Sequence, residues 1–197
     1  MHLTNEFELA KKALDDSKVI AFPTETVMGL GVYYNDFKAY KLLNEIKGRP
    51  ENKPYTLMLG SICDIQEFAY ASERDLKIIK TFMPGAITVL LKSRSNVPSY
   101  VTHNTGVIGI RVPDIKLVQD LIKFLGTPLL VPSANKSGCK PAITSDEVKE
   151  IFGEELGYVF EGDALGGVPS TIVDLTGEQV KIVREGPISL KDIEKVL

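Results

Sequence analysis

Apolar positions recur along the chain in two alternating rhythms, and each switch marks a change of element. Phe7, Ala10 and Leu14 repeat at helical spacing, with Asn5 as the predicted N-cap and Glu8 three residues on, in capping-box relation. The apolar run from Val19 to Phe22 predicts a strand, closed by Pro23. Ala39, Leu42, Leu43 and Ile46 return to the 3.6-residue period and predict a helix over 36–47, ended by Gly48 with Pro50 beyond it. A strand over 55–59 follows. Ser72 then caps a helix with Leu76, Ile79 and Met83 inward, which Pro84-Gly85 stops before a strand over 87–91. Residues 92–106 are polar and turn-rich and predict no element. Val107 to Val112 reads as a strand. Asp114 is the predicted cap of a helix carrying Val118, Leu121, Ile122 and Leu125, which Gly126 ends before a short strand over 129–131. Thr144 and Glu147 form a capping-box pair ahead of Val148, Ile151 and Phe152. Strands follow over 158–160, 170–175 and 180–183, and Ser189 caps a last helix with Leu190, Ile193 and Leu197 inward.

Strands alternating with helices argue an α/β fold around one core, and the glycine-rich, hairpin-like C-terminal third argues mixed strand directions. A length of 197 residues fits one domain over 1–197, and an apolar share of 44% supplies a core. The net charge of -3 demands no nucleic-acid partner, although a local basic groove is compatible with it. Cys63, Cys139, His2 and His103 show no metal-ligand spacing, so no metal site is expected, and His103 reads as a surface histidine. Sparse cysteine, an N-terminus unlike a signal peptide and no long apolar run argue a reducing, cytoplasmic setting with no membrane partner.

No phosphate-loop, dinucleotide or nucleophile-elbow motif is present. What recurs is a strand end followed or flanked by a polar cluster: Thr24 to Thr26, Ser133 with Asn135 and Ser137, and Ser170-Thr171. In α/β folds ligands collect beyond strand ends. Gly29 and Gly31 would allow close approach of a ligand or another backbone. Lys47, Arg49 and Lys53 cluster at a helix break, and Arg111, Lys136 and Arg184 are further cations. Arg111 lies within an apolar run, where it must find a partner or reach solvent. Hydroxyls, an amide and clustered cations suit transfer of a phosphorus-bearing group, in which catalysis is mostly positioning and electrostatics. Taken singly, each segment reads as well as an ordinary turn or a solvated basic loop. Lys47 and Arg49 are expected to point their heads into a cleft from an exposed loop, so truncation should lower turnover and leave stability nearly unchanged. No residue presents itself as a covalent nucleophile.

Read in order, these segments resemble the threonylcarbamoyl-AMP synthases of the YrdC/Sua5 family. The resemblance is carried by Pro23-Thr24-Glu25-Thr26-Val27-Met28-Gly29-Leu30, Lys47-Gly48-Arg49-Pro50 with Lys53-Pro54, Pro84-Gly85-Ala86-Ile87-Thr88 and Ile110-Arg111-Val112-Pro113. Ser133-Ala134-Asn135-Lys136-Ser137-Gly138, Ser170-Thr171-Ile172-Val173-Asp174 and Arg184-Glu185-Gly186 complete it. Glu25 and Met28 depart from the family's usual aspartate and tyrosine, and Tyr55 stands at a usual leucine. The resemblance implies an open, twisted mixed sheet with flanking helices and a basic concave face, in the short single-domain form. It implies that L-threonine and bicarbonate form a carbamate, which attacks the α-phosphorus of ATP, accompanied by Mg2+, to give L-threonylcarbamoyl-AMP and pyrophosphate. A downstream tRNA threonylcarbamoyl-transferase complex would use the product on adenosine 37 of tRNA. Lys47 and Arg49 would be catalytic and hold the phosphates. Thr24, Thr26, Lys53, Arg111 and Ser133 would bind substrate. Ser133, Asn135, Ser137, Ser170, Thr171 and Arg184 would complete the nucleotide side. The alternatives are a paralogue that carbamoylates another acceptor, or a non-catalytic module with weak RNA binding.

Overall fold

The computed structural model describes residues 3–48 and 54–197, so Arg49 and Lys53 lie outside the described residues. The strands are β1 (Ile20–Phe22), β2 (Gly29–Tyr33), β3 (Thr56–Met58), β4 (Ala69–Tyr70), β5 (Ile87–Ser93), β6 (Val107–Arg111), β7 (Leu129–Val131), β8 (Tyr158–Val159), β9 (Thr171–Asp174) and β10 (Lys181–Arg184). The α-helices are α1 (Leu3–Asp15), α2 (Phe37–Lys47), α3 (Ile65–Phe68), α4 (Glu73–Phe82), α5 (Ser99–Thr102), α6 (Lys116–Leu125), α7 (Ser145–Phe152) and α8 (Leu190–Glu194). The strands form one open sheet in the order β10-β9-β5-β6-β3-β7-β2-β1-β8, with β4 added on β5. Directions are mixed: β1 with β8, β3 with β6 and β5 with β9 run parallel, and the other pairs run antiparallel.

The two-residue period of the strands divides the core between two faces. Ile20 and Phe22 pack with α1 and α6 residues, whereas Val19 and Ala21 belong to the larger cluster formed with α2, α4 and α7. In β7, Leu129 and Val131 face the first cluster and Leu130 the second. Helices α1 and α6 cover the β1–β2–β7 side. Thr56, Leu90 and Ile172, further across the sheet, stay only partly buried.

Three sequence expectations are corrected. Asn5 lies inside α1 rather than capping it, because the helix begins at Leu3, two residues before it, and continues through the packed Phe7–Ala10–Leu14 stripe. Asp114 does not cap α6, whose N-cap is Ile115; the Asp114 amide instead donates to Glu25 Oε1 at 3.0 Å. The glycines of the Thr24–Gly31 segment serve a strand rather than a ligand loop. In β2, Gly31 and Gly29 oppose Ile20 and Phe22. A Cβ at Gly31 would come within 2.7 Å of the Phe22 ring, which fills the space the glycine leaves. The caps expected at Ser72, Thr144 and Ser189 hold, each as a capping box, and Asp36, read as the first residue of the helix, caps α2. Residues 92–106, read without an element, contain α5.

Candidate active site

Where α1 and α6 no longer cover the sheet, a cleft of about 130 Å³ opens over β3, β6, β7 and β9. Thr26, Thr56, Met58, Arg111, Ser133, Ser170, Ile172 and Arg184 line it. Register explains the set. Thr56 pairs with Val131, and Met58 pairs with Arg111, so alternate side chains of neighbouring strands share one face.

The loop after β1 is built by its own hydroxyls. Thr24 Oγ1 donates to the Val27 carbonyl at 2.7 Å and accepts from the Thr26 and Val27 amides. With that proton committed, the Thr26 hydroxyl donates to Thr24 Oγ1 at 2.8 Å and accepts from Arg111 Nη2 at 2.9 Å. Thr24 is therefore a loop-forming residue outside the cleft lining, and Thr26 faces the cleft. The glycine-rich segment beyond β8 lies against this loop. Leu165 and Gly167 amides donate to the Thr24 and Thr26 carbonyls, and a Cβ at Gly166 would sit 2.7 Å from the Glu25 carbonyl.

Arg111 finds the partner its apolar strand requires. Its Nη2 lies 2.8 Å from Glu25 Oε1, and its Nε donates to the Gly85 carbonyl at 3.3 Å. Both side chains are largely buried, at 7% and 12% exposed. The pair joins three signature segments, and the planar guanidinium supplies the directions that a lysine could not. Glu25 Oε2 is buried without a partner. The longer arm of glutamate thus reaches Arg111 and the Asp114 amide with one oxygen only.

Lys47 differs most from expectation. It ends α2 with 1% of its surface exposed, and its Nζ donates to the Ser133 and Asn135 carbonyls at 2.6 and 2.7 Å. It is not an exposed loop charge: the left-handed Gly48 that ends the helix leaves Lys47 on the buried side of the last turn. The amide of Ser137 donates to the Lys47 carbonyl, and Lys136 Nζ donates to Ile46 O. The end of α2 and the 133–137 loop are therefore locked together from both sides. Within that loop Ser133 Oγ donates to Asn135 Oδ1 at 2.6 Å, and Asn135 Nδ2 donates to the Lys136 and Cys139 carbonyls. Asn135 spends its amide on the loop. Asn135 and Ser137 do not line the cleft, and Ser133 does.

On the far wall, Arg184 clasps Ser170 through Nε and Nη2 to its carbonyl, at 3.0 and 2.7 Å, and through Nη2 to its hydroxyl. Ser170 Oγ also meets Thr88 Oγ1 at 2.9 Å. Thr171 lies one residue on and points to the other face, where its hydroxyl donates to Ile188 O and accepts from the Ile188 amide. Sequence reading had offered both hydroxyls as ligands, and strand alternation separates them. It had no account of Tyr55, a cleft residue whose hydroxyl donates to Asn44 Oδ1 at 2.6 Å and whose ring packs on Tyr40, tying β3 to α2. It also passed over Thr56, Met58 and Ile172, which only a strand register could have placed.

The arrangement sets two guanidinium groups and the hydroxyls of Thr26, Tyr55, Thr56, Ser133 and Ser170 around one small polar cleft, with a buried ammonium beneath the loop that carries Ser133. Such a site can hold an anion with several oxygens and stabilise charge that develops on it.

Comparison with known proteins agrees over most of the chain. The Sua5/YciO/YrdC family model, described as telomere recombination, matches residues 12–186. The threonylcarbamoyl-AMP synthase of Pyrococcus abyssi is 32% identical over 195 residues, covering 98% of this chain and 57% of that protein. That of Photorhabdus laumondii is 36% identical over 177 residues, covering 87% of this chain and 93% of that protein. The chain spans 57% and 58% of the length of the P. abyssi and Bacillus subtilis relatives. The crystal structure of P. abyssi Sua5 complexed with L-threonine superposes with a TM-score of 0.92 at 30% identity, covering 100% of this chain and 58% of that one. Escherichia coli YciO superposes with a TM-score of 0.90 at 26% identity, covering 98% and 94%. On its fold, its ordered motifs and these matches, the chain belongs to the Sua5/YciO/YrdC family.

Proposed function

We propose that this chain makes L-threonylcarbamoyl-AMP from L-threonine, bicarbonate and ATP. The threonine amine and bicarbonate condense to a carbamate with loss of water. A carbamate oxygen then bonds to the α-phosphorus as the bond to the β-phosphate oxygen breaks, releasing pyrophosphate. The observation that carries this reading is the meeting of Thr26, Arg111, Ser133, Ser170 and Arg184, from five separate family segments, in one strand-end cleft. Relatives that bear the synthase name, and a Sua5 structure that holds L-threonine, support the choice of substrates.

Arg111 and Thr26, held by Glu25, orient the threonine carboxylate. Ser133, Ser170 and Arg184 hold the nucleotide. Lys47 is a positioning residue: it fixes the Ser133 loop, and its charge lies beneath the phosphates. Arg49 and Lys53 are proposed from the sequence motif to bind those phosphates. Among the described residues no group of three or more carboxylate, imidazole or thiol side chains is arranged to cage a metal ion. Mg2+ would accompany the ATP and screen the charge of its phosphates. The product passes to a transferase that acts on tRNA in the cytoplasm. The test is a panel of amino acids supplied singly with bicarbonate and Mg-ATP, with the adenylates identified by mass spectrometry. Threonine should give the carbamoyl adenylate at least tenfold faster than serine, which keeps the hydroxyl but lacks the methyl, a loss worth about 10–200-fold in a packed site. A preference for another amino acid would instead assign the chain to a paralogous carbamoyl-adenylate enzyme.

A further inference from the structure

A second cavity, of about 640 Å³, lies at the opposite end of the strands that wall the cleft. Ser170 and Thr88 mark the cleft end of β9 and β5; Leu91, Lys92, Arg94 and the 175–178 turn mark this one. At ~3.3 Å per residue, the six residues from Thr88 to Arg94 separate the two by roughly 20 Å. Tyr70 is paired directly with Lys92 across β4 and β5, so both side chains stand on one face, and Arg94 follows two residues later.

The cations here are unequal. Arg74 is committed: it donates to Asp75 Oδ1 through Nε and Nη2 and to the Leu175 and Glu178 carbonyls. Arg94 is not. Its guanidinium lies 4.4 Å over the Tyr70 ring and makes no hydrogen bond or ion pair with the described residues, and its Nε is buried without a partner. Its backbone is tied down, the amide donating to Phe68 O and the carbonyl accepting from the Val97 amide. Lys92 is exposed and has no ion-pair partner among the described residues. Asp75 is neutralised by Arg74, and Glu178 is at the exposed rim. A desolvated N–H with no acceptor costs stability, so this arginine is not held over the ring for the sake of the fold. Two unpaired cations beside an aromatic ring that stays 57% exposed match a phosphate joined to a flat base.

We propose that Tyr70, Lys92 and Arg94 form a second nucleotide-binding site, separate from the cleft, which takes a phosphate on Lys92 and Arg94 and a base against Tyr70. The nucleotide is either free or part of a single-stranded RNA, and the chemistry is the same. The test is amide NMR of the full chain titrated separately with inorganic phosphate, AMP and a single-stranded adenosine tetranucleotide. Saturable shifts at the amides of residues 70, 92, 94 and 176–178 are expected with AMP. Arg94→Ala or Lys92→Ala should weaken that response about tenfold or more, with shifts at Ser133 and Ser170 and the unfolding midpoint unchanged. Binding of the tetranucleotide tighter than AMP would assign the site to RNA, and equal binding to the free nucleotide. Absence of shifts there in every arm would overturn the site, as would shifts that survive both substitutions. Phosphate binding as tightly as AMP would overturn the nucleotide assignment.

Discussion

Replacing Lys47 by Met separates a buried clamp from an exposed phosphate hand. Methionine keeps most of the stem volume, so the cavity term stays small. What is lost is an ammonium that donates to Ser133 O and Asn135 O at 2.6 and 2.7 Å in a side chain 1% exposed. A hydrogen bond from a charged donor contributes ~1.5–3 kcal/mol. Two of them are offset by the desolvation cost that disappears with the charge, which leaves about 2–4 kcal/mol of destabilisation. For a chain of this size that is roughly 5–15 °C in Tm. A solvent-exposed loop lysine would cost within ~0.5 kcal/mol. The assay is the thermal or urea midpoint of Lys47→Met beside wild type, with adenylate formation measured well below both midpoints. Turnover should fall as well, because the loop that presents Ser133 loses its anchor. A midpoint within about 1 °C of wild type would refute the burial argument.

Glu25→Ala should destabilise by about 3–5 kcal/mol because it strands Arg111 in a buried setting, and Glu25→Ala with Arg111→Met should recover much of that loss in a double-mutant cycle. Gly31→Ala should cost about 1–3 kcal/mol by driving a methyl into the Phe22 ring, and Phe22→Leu in the same chain should cost less than the two effects summed, as urea midpoints would show. Tyr55→Phe should cost about 1 kcal/mol through the lost bond to Asn44, again read by urea unfolding. The Asp192 carboxyl is held at about 2, first by the Ser189 hydroxyl and then by Lys195, below its ordinary 3.8. Its folded pKa is depressed, so its contribution is complete above pH 3.8 and is lost as pH falls toward 2. Carboxyl NMR titration of Ser189→Ala should show the Asp192 pKa moving up toward its ordinary value.

Elements with a strong period and a cap were legible residue by residue, since local propensity and packing agree there, as in α2 with Asp36 and Gly48. Strand β2 was hidden because Gly-Leu-Gly reads as a turn. Side chains from both neighbouring strands, the Phe22 ring on β1 and Val131 on β7, fill the space those glycines leave. The composition of the cleft was largely legible as strand-end polar clusters, but the roles within it were not. Whether Ser170 or Thr171 faces a ligand depends on register, and register is set by β5. That Arg111 needed a partner followed from its apolar strand. That the partner is Glu25 is a contact across 86 positions, which no local pattern encodes. Lys47 was misjudged because lysine is almost always exposed, and two carbonyls from a distant loop reverse that preference here.

The central claim is tested most directly by supplying the purified chain with labelled bicarbonate, α-labelled Mg-ATP and threonine. The reaction proposed above predicts one threonine-dependent compound that carries both labels, with equimolar pyrophosphate. It also predicts that Ser170→Ala and Arg184→Ala, assayed below their unfolding midpoints, lose about tenfold or more of the rate, with about 1–3 kcal/mol of destabilisation from the lost Ser170–Arg184 contacts. Folded protein that releases pyrophosphate without threonine, or that forms no doubly labelled compound, would contradict it.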